Sequence, residues 1–317
     1  MRERMIRVGL IGVADPRHRW FLAAAVRRRA GVGIVGLSEP DPVARTEVGD
    51  RYDLPTWDDH QAMLQSVRPT LVAVTQPDPG PLVIDALQHG ADVLVLPPIA
   101  DSLAGLENVA AAADATGRRV IAAHTYRGHP ATRTVQQLTG RLGRLDVVSL
   151  MISGRLDDHA RRAAIVEGLD VFRLLTGSTP SVITEIGDGD RLREEDPAEL
   201  RTGFGELIMV APADAADAAD EEAPVFEVRV RPDTDELQQT IQVVGEGGAV
   251  EWDTRTGLMH SAFDGTGGGE PITVSCGHPE PAEWVLNNLI RRRRPLFSTE
   301  ESLELTRLLL SRSAPVG

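Results

Sequence analysis

Apolar runs without polar alternation recur in the first part of the chain, and each ends at a glycine, a proline or a polar residue. The runs are Ile6–Ile11 and residues 33–37, 71–75, 93–96 and 119–123. Such runs are typical of parallel strands that are buried on both faces. Helical patterns separate most of them, at residues 18–29, 58–66, 82–89 and 103–116. This alternation predicts a doubly wound parallel sheet of the Rossmann type.

The pattern changes after residue 145, where strands follow one another with few helices between them. The predicted strands are residues 145–153, 181–187, 203–210, 225–231, 237–245, 249–253, 258–263 and 272–276. The helices predicted in this half are residues 132–142, 157–176, 281–292 and 299–311. Consecutive strands form a mostly antiparallel sheet, here with one face on the 157–176 helix and the other open. The predicted fold class is therefore α/β, with a Rossmann domain at residues 1–124 and an α+β domain with an open-faced sheet at residues 125–317.

The overall charge narrows the classes of partner. The 317 residues carry a net charge of -14, with an isoelectric point near 5.0. An acidic surface disfavours nucleic acids and anionic membranes, which are themselves polyanions. The four arginines at residues 291–294 are interpreted as a solvated helix end. No apolar run approaches the roughly 20 residues of a membrane span, and no signal-peptide pattern opens the chain, so a cytoplasmic location is predicted.

The chain contains no lysine, because all 33 of its Lys+Arg residues are arginine. Arginine stays protonated at working pH and cannot replace lysine as a titrating acid or base. Lysine catalysis is therefore excluded. A single cysteine, Cys276, excludes an intrachain disulfide. His159 follows Asp157 and Asp158, but this cluster is interpreted as a helix start, and no metal site is predicted.

The turn after the first strand is the first candidate binding element. A dinucleotide-binding turn reads Gly-x-Gly-x-x-Gly/Ala, and its backbone amides approach a pyrophosphate. Gly12 occupies the first glycine position, whereas Ala14 and Arg17 occupy the second and third. Asp15 adds a negative charge and Pro16 removes an amide donor. Two interpretations stay open: a degenerate dinucleotide loop, or a strand-to-helix turn capped by Asp15.

Residues 90–100, GADVLVLPPIA, together with their surroundings, resemble the Gfo/Idh/MocA family of glucose-fructose oxidoreductases and inositol dehydrogenases. In that family this strand ends in Glu-Lys-Pro, and the lysine exchanges a proton beside the nicotinamide. The matching residues here are Leu96, Pro97 and Pro98, so only the last proline agrees. The resemblance implies the two-domain fold, while the usual proton-transfer group is missing.

Shorter motifs extend the resemblance over most of the chain. Thr75 and Pro77 match the family's Thr-Pro-Asn-x-x-His, and Arg127 and Pro130 match its Asn-Arg-Arg-Phe-x-Pro hinge. The cofactor-binding residues that the resemblance implies are Gly12, Ala14, Glu39, Thr75, Pro77 and Pro98. The implied cofactor is NAD, if one binds at all.

Glu39 is the candidate for cofactor selection. It follows the second strand and lies 27 residues after Gly12, near the position of the acid that bonds the adenosine ribose. A carboxylate there repels the extra phosphate of NADP and so favours NAD. The alternative is an exposed acid at a strand end.

The predicted hinge between the domains supplies further candidates, because it lines the substrate cleft in the family. His124 and Tyr126 are its candidate proton-transfer groups, and Arg127 and His129 its candidate substrate-binding residues. Each histidine has the alternative of a surface or internally bonded residue.

A pair of carboxylates in the 157–176 helix supplies the last candidates. Asp170 matches the final acid of the family's Asp-x-Gly-x-His-x-x-Asp helix, and Glu167 stands where that motif has its histidine. Residues three apart share a helix face, so the pair can act as a general acid/base or form a solvated pair at the helix surface.

Three functional hypotheses follow. The first is a non-redox pseudo-oxidoreductase that binds a small ligand, or assembles through its open sheet as a homo-oligomer or with an active relative. The second is an NAD-dependent oxidoreductase acting on a sugar, cyclitol or related hydroxyl, with the proton relay rebuilt from Glu167, His124 or Tyr126. The third is an elimination or hydrolysis by Glu167 and Asp170.

Overall fold

The computed structural model describes residues 5–14, 31–124, 126–127, 129–154, 158–177, 180–187, 206–212, 224–231, 238–254, 256, 258–263, 272–275 and 298–311. These residues form two compact units. The first contains the described residues from 5 to 127 together with those from 298 to 310, and the second is formed mainly by those from 129 to 275.

The first unit contains a six-stranded sheet in the order β3-β2-β1-β4-β5-β6, and every neighbouring pair is parallel. Its strands are β1 (Ile6–Ile11), β2 (Val32–Ser38), β3 (Thr56–Trp57), β4 (Leu71–Val74), β5 (Asp92–Val95) and β6 (Val120–Ala122). Its helices are α1 (Pro42–Tyr52), α2 (His60–Val67), α3 (Gly80–Gln88) and α4 (Leu103–Thr116). The strand order reverses between β1 and β4, where ligands of doubly wound sheets bind. The predicted Rossmann sheet is confirmed.

Successive residues of the central strands point to opposite faces of this sheet, and both faces are apolar. Val93 and Val95 pack into one buried cluster with α2, α3 and α4, whereas Leu94 and Leu96 pack into a second cluster that also contains Val48 of α1. Burial on both faces explains the unbroken apolar runs of the sequence.

Helix α1 was not predicted. Asp41 and Pro42 belong to a Ser-Glu-Pro-Asp-Pro stretch of which only Glu39, after the second strand, was a candidate residue in the sequence. In the structure, the Asp41 carboxylate accepts a hydrogen bond from the amide of Val43 at 3.0 Å and caps α1, with Pro42 in the first turn. Only Val48 and Gly49 of this helix are buried, so its sequence carries little apolar periodicity.

The last described helix, α7 (Thr299–Leu310), packs against β6 and α4 in the first unit, although the sequence analysis placed residues 125–317 in the second domain. Hydroxyl oxygens of α7 accept hydrogen bonds from three backbone amides. The pairs are Val120 to Thr299 at 3.2 Å, Ala122 to Ser302 at 3.1 Å and Ile99 to Thr306 at 3.3 Å. Because β6 is an edge strand of this sheet, the hydroxyls of Thr299 and Ser302 satisfy amides of β6 that face away from β5.

The second unit contains an eight-stranded sheet in the order β14-β13-β12-β11-β7-β10-β9-β8, in which only the pair of β7 and β10 is parallel. Its strands are β7 (Leu145–Ser153), β8 (Pro180–Gly187), β9 (Glu206–Pro212), β10 (Val225–Arg231), β11 (Gln238–Gly245), β12 (Gly248–Asp253), β13 (Leu258–Phe263) and β14 (Ile272–Ser275). Its helices are α5 (Pro130–Leu142) and α6 (Asp158–Thr176). The predicted, mostly antiparallel sheet is confirmed.

One face of this second sheet packs on its helices. Gly168 of α6 lies so close to Phe226 and Leu150 that a methyl group there would contact both side chains at less than 3 Å. The rings of Phe172 and Phe226 stack at 5.6 Å, and the Arg141 guanidinium of α5 lies 3.8 Å from the Phe263 ring centroid. The absence of a side chain at Gly168 therefore allows α6 to approach the strands closely.

The opposite face of this sheet, called the outer face here, carries a row of polar residues. The row runs across five paired strands through Glu227, Ser149, Gln242, Glu251 and His260. The Ser149 hydroxyl donates to Glu227 Oε1 at 2.5 Å, and an Arg229 guanidinium nitrogen donates to Glu227 Oε2 at 2.9 Å. The described part of the outer face is thus hydrogen-bonded and charged along this row.

Several predicted features lie outside the described residues: the helices at residues 18–29 and 281–292, Asp15 to Arg17, Cys276 and the arginines at 291–294. In the part of the chain that the structure describes, no helix is both long and apolar enough to cross a membrane.

Candidate functional site

The candidate site begins at the loop after β1, residues 12–14, which is called the β1 loop here. Gly12 has φ of 91°, which non-glycine residues rarely adopt, and a methyl group on it would collide with the side chain of Gln76 and lie 2.9 Å from its backbone nitrogen. The Thr75 hydroxyl donates to the Gly12 carbonyl at 2.5 Å. The chain therefore turns sharply at Gly12, and the end of β4 holds the turn in place.

All three amides of the β1 loop have acceptors within the protein. The amide of Gly12 donates to the Ser38 carbonyl at 2.9 Å. The amides of Val13 and Ala14 donate to the same carboxylate oxygen, Glu39 Oε2, at 2.7 and 3.0 Å. Two successive amides that converge on one oxygen form an anion site, and here the anion is the protein's own carboxylate.

Glu39 lies at the end of β2 and is 3% exposed, so the alternative of an exposed acid is wrong. Its second oxygen, Oε1, accepts from the amide of Asp41 at 3.0 Å. A carboxylate that accepts three amide hydrogen bonds gains charge-assisted interactions that offset the cost of burying it. A ribose hydroxyl could therefore bond Glu39 only through the lone pairs of Oε1 and Oε2 that the three amides do not use.

The backbone of Glu39 is fixed separately from its side chain. Its amide donates to the Trp57 carbonyl at 3.0 Å, and an Arg45 guanidinium nitrogen donates to the carbonyls of Glu39 and Pro40 at 2.5 and 3.0 Å. Sequence reasoning missed Arg45 because it lies in α1. The end of β2 is therefore held by contacts that do not involve the carboxylate.

The carboxyl end of β5 is apolar. Leu96, Pro97, Pro98, Ile99 and Ala100 are all buried, and the Leu96 side chain belongs to one of the two sheet cores. None of these side chains can exchange a proton. Pro98, the family match, thus lies in a buried apolar segment, whereas Pro77, after β4, is exposed.

The residues after β6 are buried. His124 is 1% exposed and Tyr126 is 5% exposed, while Arg127 is half-buried. The interpretation of His124 as a surface residue is therefore wrong. Its predicted proton-transfer role, like those of Tyr126 and Arg127, stays a prediction.

His129 belongs to the second unit and caps α5. Its Nδ1 accepts a hydrogen bond from the Ala131 amide at 3.0 Å, so that nitrogen carries no proton in this contact. The ring is 6% exposed and lies 4.5 Å from the Trp252 ring, between centroids. These contacts give His129 a structural role, and its predicted ligand contact stays a prediction.

Glu167 and Asp170 lie on α6 and are 8% and 0% exposed. The alternative of a solvated pair at the helix surface is therefore wrong. Buried carboxylates need hydrogen-bonding or charged partners, and both residues take part in further interactions. Glu167 and Asp170 could therefore transfer a proton only if their existing interactions leave a carboxylate oxygen accessible to a ligand.

The fit to a nicotinamide dinucleotide can be judged from the β1 loop. The glycine turn and the two convergent amides are part of what a pyrophosphate requires. The residues that follow Ala14, where such a site would continue, lie outside the described residues. One oxygen of Glu39 already accepts both amide hydrogens. The described part of the loop therefore fits a dinucleotide phosphate once the Glu39 carboxylate has moved. No cluster of three or more metal-ligating side chains occurs among the described residues.

Comparisons with known proteins agree with this geometry. Residues 6–124 match the model of the family described as "Oxidoreductase family, NAD-binding Rossmann fold". No curated protein matches the sequence.

Solved structures resemble the whole chain. A protein named as a candidate NADPH-dependent oxidoreductase from Desulfitobacterium hafniense aligns with a TM-score of 0.77 at 14% identity, covering 98% of this chain and 94% of that one. The aldose-aldose oxidoreductase from Caulobacter crescentus, complexed with glycerol, gives 0.71 at 17% identity over 97% and 96% of the two chains. GenD2 from gentamicin A biosynthesis, in complex with NAD, gives 0.73 at 15% identity over 98% and 94%. Likeness at these identities establishes the fold of the whole chain. The resemblance to the Gfo/Idh/MocA family is supported by residues 6–124, which match the family's NAD-binding Rossmann domain.

Proposed function

We propose that this chain is a non-redox member of its family, which binds a ligand through its Rossmann domain without catalysing hydride transfer. The observation that carries the proposal is the apolar carboxyl end of β5. Residues 96–100 are all buried there and contain no group that gains or loses a proton. A hydroxyl substrate must lose a proton when it loses a hydride, and this segment cannot accept it.

The composition supports the same conclusion. The chain has no lysine, so the family's usual acid/base cannot come from another segment either. Arginine is no substitute, because its guanidinium stays protonated at any working pH.

The proposed ligand is anionic and contains a phosphate. Amides that converge on one oxygen recognise such groups, and those of Val13 and Ala14 have this geometry. A nicotinamide dinucleotide belongs to this class and would supply the hydride acceptor when bound. In the proposed function it acts as a structural or regulatory ligand.

Assembly through the outer face, with a second copy or an active relative, is the less supported part of this hypothesis. An assembly surface was expected to be unusually apolar. The row from Glu227 to His260 is polar, although homodimer interfaces are generally more apolar than the remaining surface. Oligomeric state therefore stays a prediction.

An NAD-dependent oxidoreductase acting on a sugar, cyclitol or related hydroxyl is the second candidate. The burial of Glu167 and Asp170 favours it, because a carboxyl group that is shielded from bulk water can serve as a general acid/base. In this alternative one of them, or His124 or Tyr126, takes over proton transfer.

The test combines binding with turnover. Purified protein is titrated with NAD, NADH, NADP and NADPH by calorimetry. It is then incubated with NAD or NADP and a panel of sugars and cyclitols, while absorbance at the reduced-nicotinamide band is followed. We expect binding without reduction. Reduction of the cofactor with any member of the panel would refute the proposal in favour of the second candidate. Loss of that reduction in Glu167→Gln, with an unchanged unfolding curve, would then assign proton transfer to Glu167.

A further inference from the structure

The β1 loop is already occupied by an anion. Glu39 Oε2 accepts the amides of Val13 and Ala14 at 2.7 and 3.0 Å, and the glutamate is 3% exposed. Ala14 is exposed, so solvent reaches one side of the loop while the carboxylate fills the other. The amide of Gly12 is bonded to the Ser38 carbonyl. A phosphate oxygen that enters the loop must therefore take donors from Glu39.

We propose that Glu39 is an internal competitor for the phosphate site, so that a dinucleotide binds only when this carboxylate leaves the loop. The inference rests on the proposed ligand-binding function and specifies its regulation. Two anionic oxygens cannot share the same pair of donors, because their charges repel and each amide donates one hydrogen. The carboxylate and the phosphate exclude each other at this position.

The surrounding contacts allow such an exchange without unfolding β2. Arg45 and Trp57 hold the Glu39 backbone, and Arg45 bonds carbonyl oxygens, not the carboxylate. Among the described residues, three amides hold the side chain by hydrogen bonds. Rotation of the side chain therefore releases the loop while the strand end keeps its place. Because these bonds must break before a ligand enters, the apparent affinity is lowered in proportion to the fraction of molecules in which the loop is free.

This role reverses the sign expected for a ribose ligand. If Glu39 served only to bond the ribose, its removal would weaken dinucleotide binding. If it competes with the phosphate, its removal strengthens binding, because the amides of Val13 and Ala14 no longer have an internal acceptor.

The experiment measures binding of NADH and, separately, inorganic pyrophosphate to four proteins by calorimetry. These are the wild type, Glu39→Ala, Glu39→Gln and the control Glu47→Gln. Glu47 is exposed on α1, and its replacement removes one negative charge without altering the loop. We expect Glu39→Ala to bind both probes at least tenfold more tightly than the wild type. Glu39→Gln, which keeps an acceptor oxygen but no charge, should gain about threefold, and the control should match the wild type.

Equal or weaker binding by Glu39→Ala would overturn the proposal, as would the absence of binding by every variant. If Glu39→Ala fails to fold in a thermal scan, Glu39→Gln decides by the same criterion. A gain equal to that of Glu47→Gln would assign the effect to net charge, which also overturns it. Redox turnover by the wild type would refute the non-redox function alone, because the affinity ratio between Glu39→Ala and wild type does not depend on turnover.

Discussion

Replacing Gly12 by alanine tests whether the sharp turn of the β1 loop is needed for the Rossmann unit. The new methyl group would collide with the Gln76 side chain and lie 2.9 Å from the Gln76 nitrogen and 3.2 Å from the Thr75 hydroxyl. Gln76 follows Thr75, whose amide donates to the Ile11 carbonyl of β1 at 3.0 Å, so a shift of the Gln76 backbone would strain this contact. The φ of 91° is also outside the range that alanine adopts readily.

The expected cost has two parts. A non-glycine residue in a sparsely populated backbone region costs about 1–3 kcal/mol, and insertion of a methyl group into a filled space costs about 1–3 kcal/mol more. The lower entropy of the unfolded alanine chain offsets about 0.4–1 kcal/mol. We therefore expect Gly12→Ala to lower the free energy of unfolding by about 2–5 kcal/mol.

Gly117→Ala is the matched control. Gly117 ends α4 with φ of 62°, which lies in the left-handed region, and no atom lies within 4 Å of the position of its added methyl group. Its substitution therefore costs backbone strain alone, about 1–2 kcal/mol before the same entropic offset. The difference between the two variants measures the contact with Gln76 and Thr75.

Urea unfolding followed by circular dichroism provides the measurement, with the slope m compared between variants to check that the same surface is exposed. Binding of NADH by Gly12→Ala should also fall, because a displaced turn moves the amides of Val13 and Ala14. If Gly12→Ala loses no more stability than Gly117→Ala, the close approach of the β1 loop to β4 is not a stabilising feature, and the geometry argued for this site is wrong.

Three further predictions concern single contacts. Backbone hydrogen bonds from Ala62 and the residue before it lower the pKa of Asp59, which caps α2. The stability that this cap contributes is therefore complete above the usual aspartate pKa of about 3.9 and is lost as the pH falls through the lowered pKa. Thermal unfolding of Asp59→Ala and wild type should accordingly differ at pH 7 and converge in acid. Ser302→Ala leaves the buried Ala122 amide without its acceptor, and urea unfolding should show a loss of about 1–3 kcal/mol. His129→Ala removes the cap of α5 and should cost about 0.5–2 kcal/mol, whereas His129→Asn restores most of it; equal losses would contradict the capping role.

The strands of both sheets could be predicted from the sequence because burial dictates their composition. β1, β7, β10 and β13 begin and end at the predicted residues, since each is an apolar or alternating run bounded by turn residues. The helices that pack on them were found where apolar residues recur with helical spacing, as in α4. Local periodicity was sufficient in these cases.

The start of helix α1 and the position of helix α7 were not predicted, because they depend on capping and on contacts between residues distant in the sequence. Helix α1 has few buried residues, and its start is fixed by the Asp41 cap. Prolines on both sides of Asp41 are typical of turns, so the sequence did not identify this helix start. The place of α7 depends on hydroxyl groups that meet amides of β6 about 180 residues away in the chain. Nothing in the local sequence around Thr299 or Ser302 identifies these acceptors.

The contacts of Glu39 at the candidate site also could not be predicted from the local sequence, and they bear directly on ligand binding. Its position after β2 could be predicted from the sequence, and family resemblance assigned the carboxylate to a ribose. Its contacts with Val13 and Ala14 join residues 26 and 25 positions apart, and no spacing rule distinguishes an acid that awaits a ribose from one that fills the phosphate site. Removing the charge separates these roles by the direction in which affinity changes. Under the proposed non-redox function, a carboxylate that competes with the ligand for these amides would regulate binding, and the direction of the affinity change in Glu39→Ala tests that role.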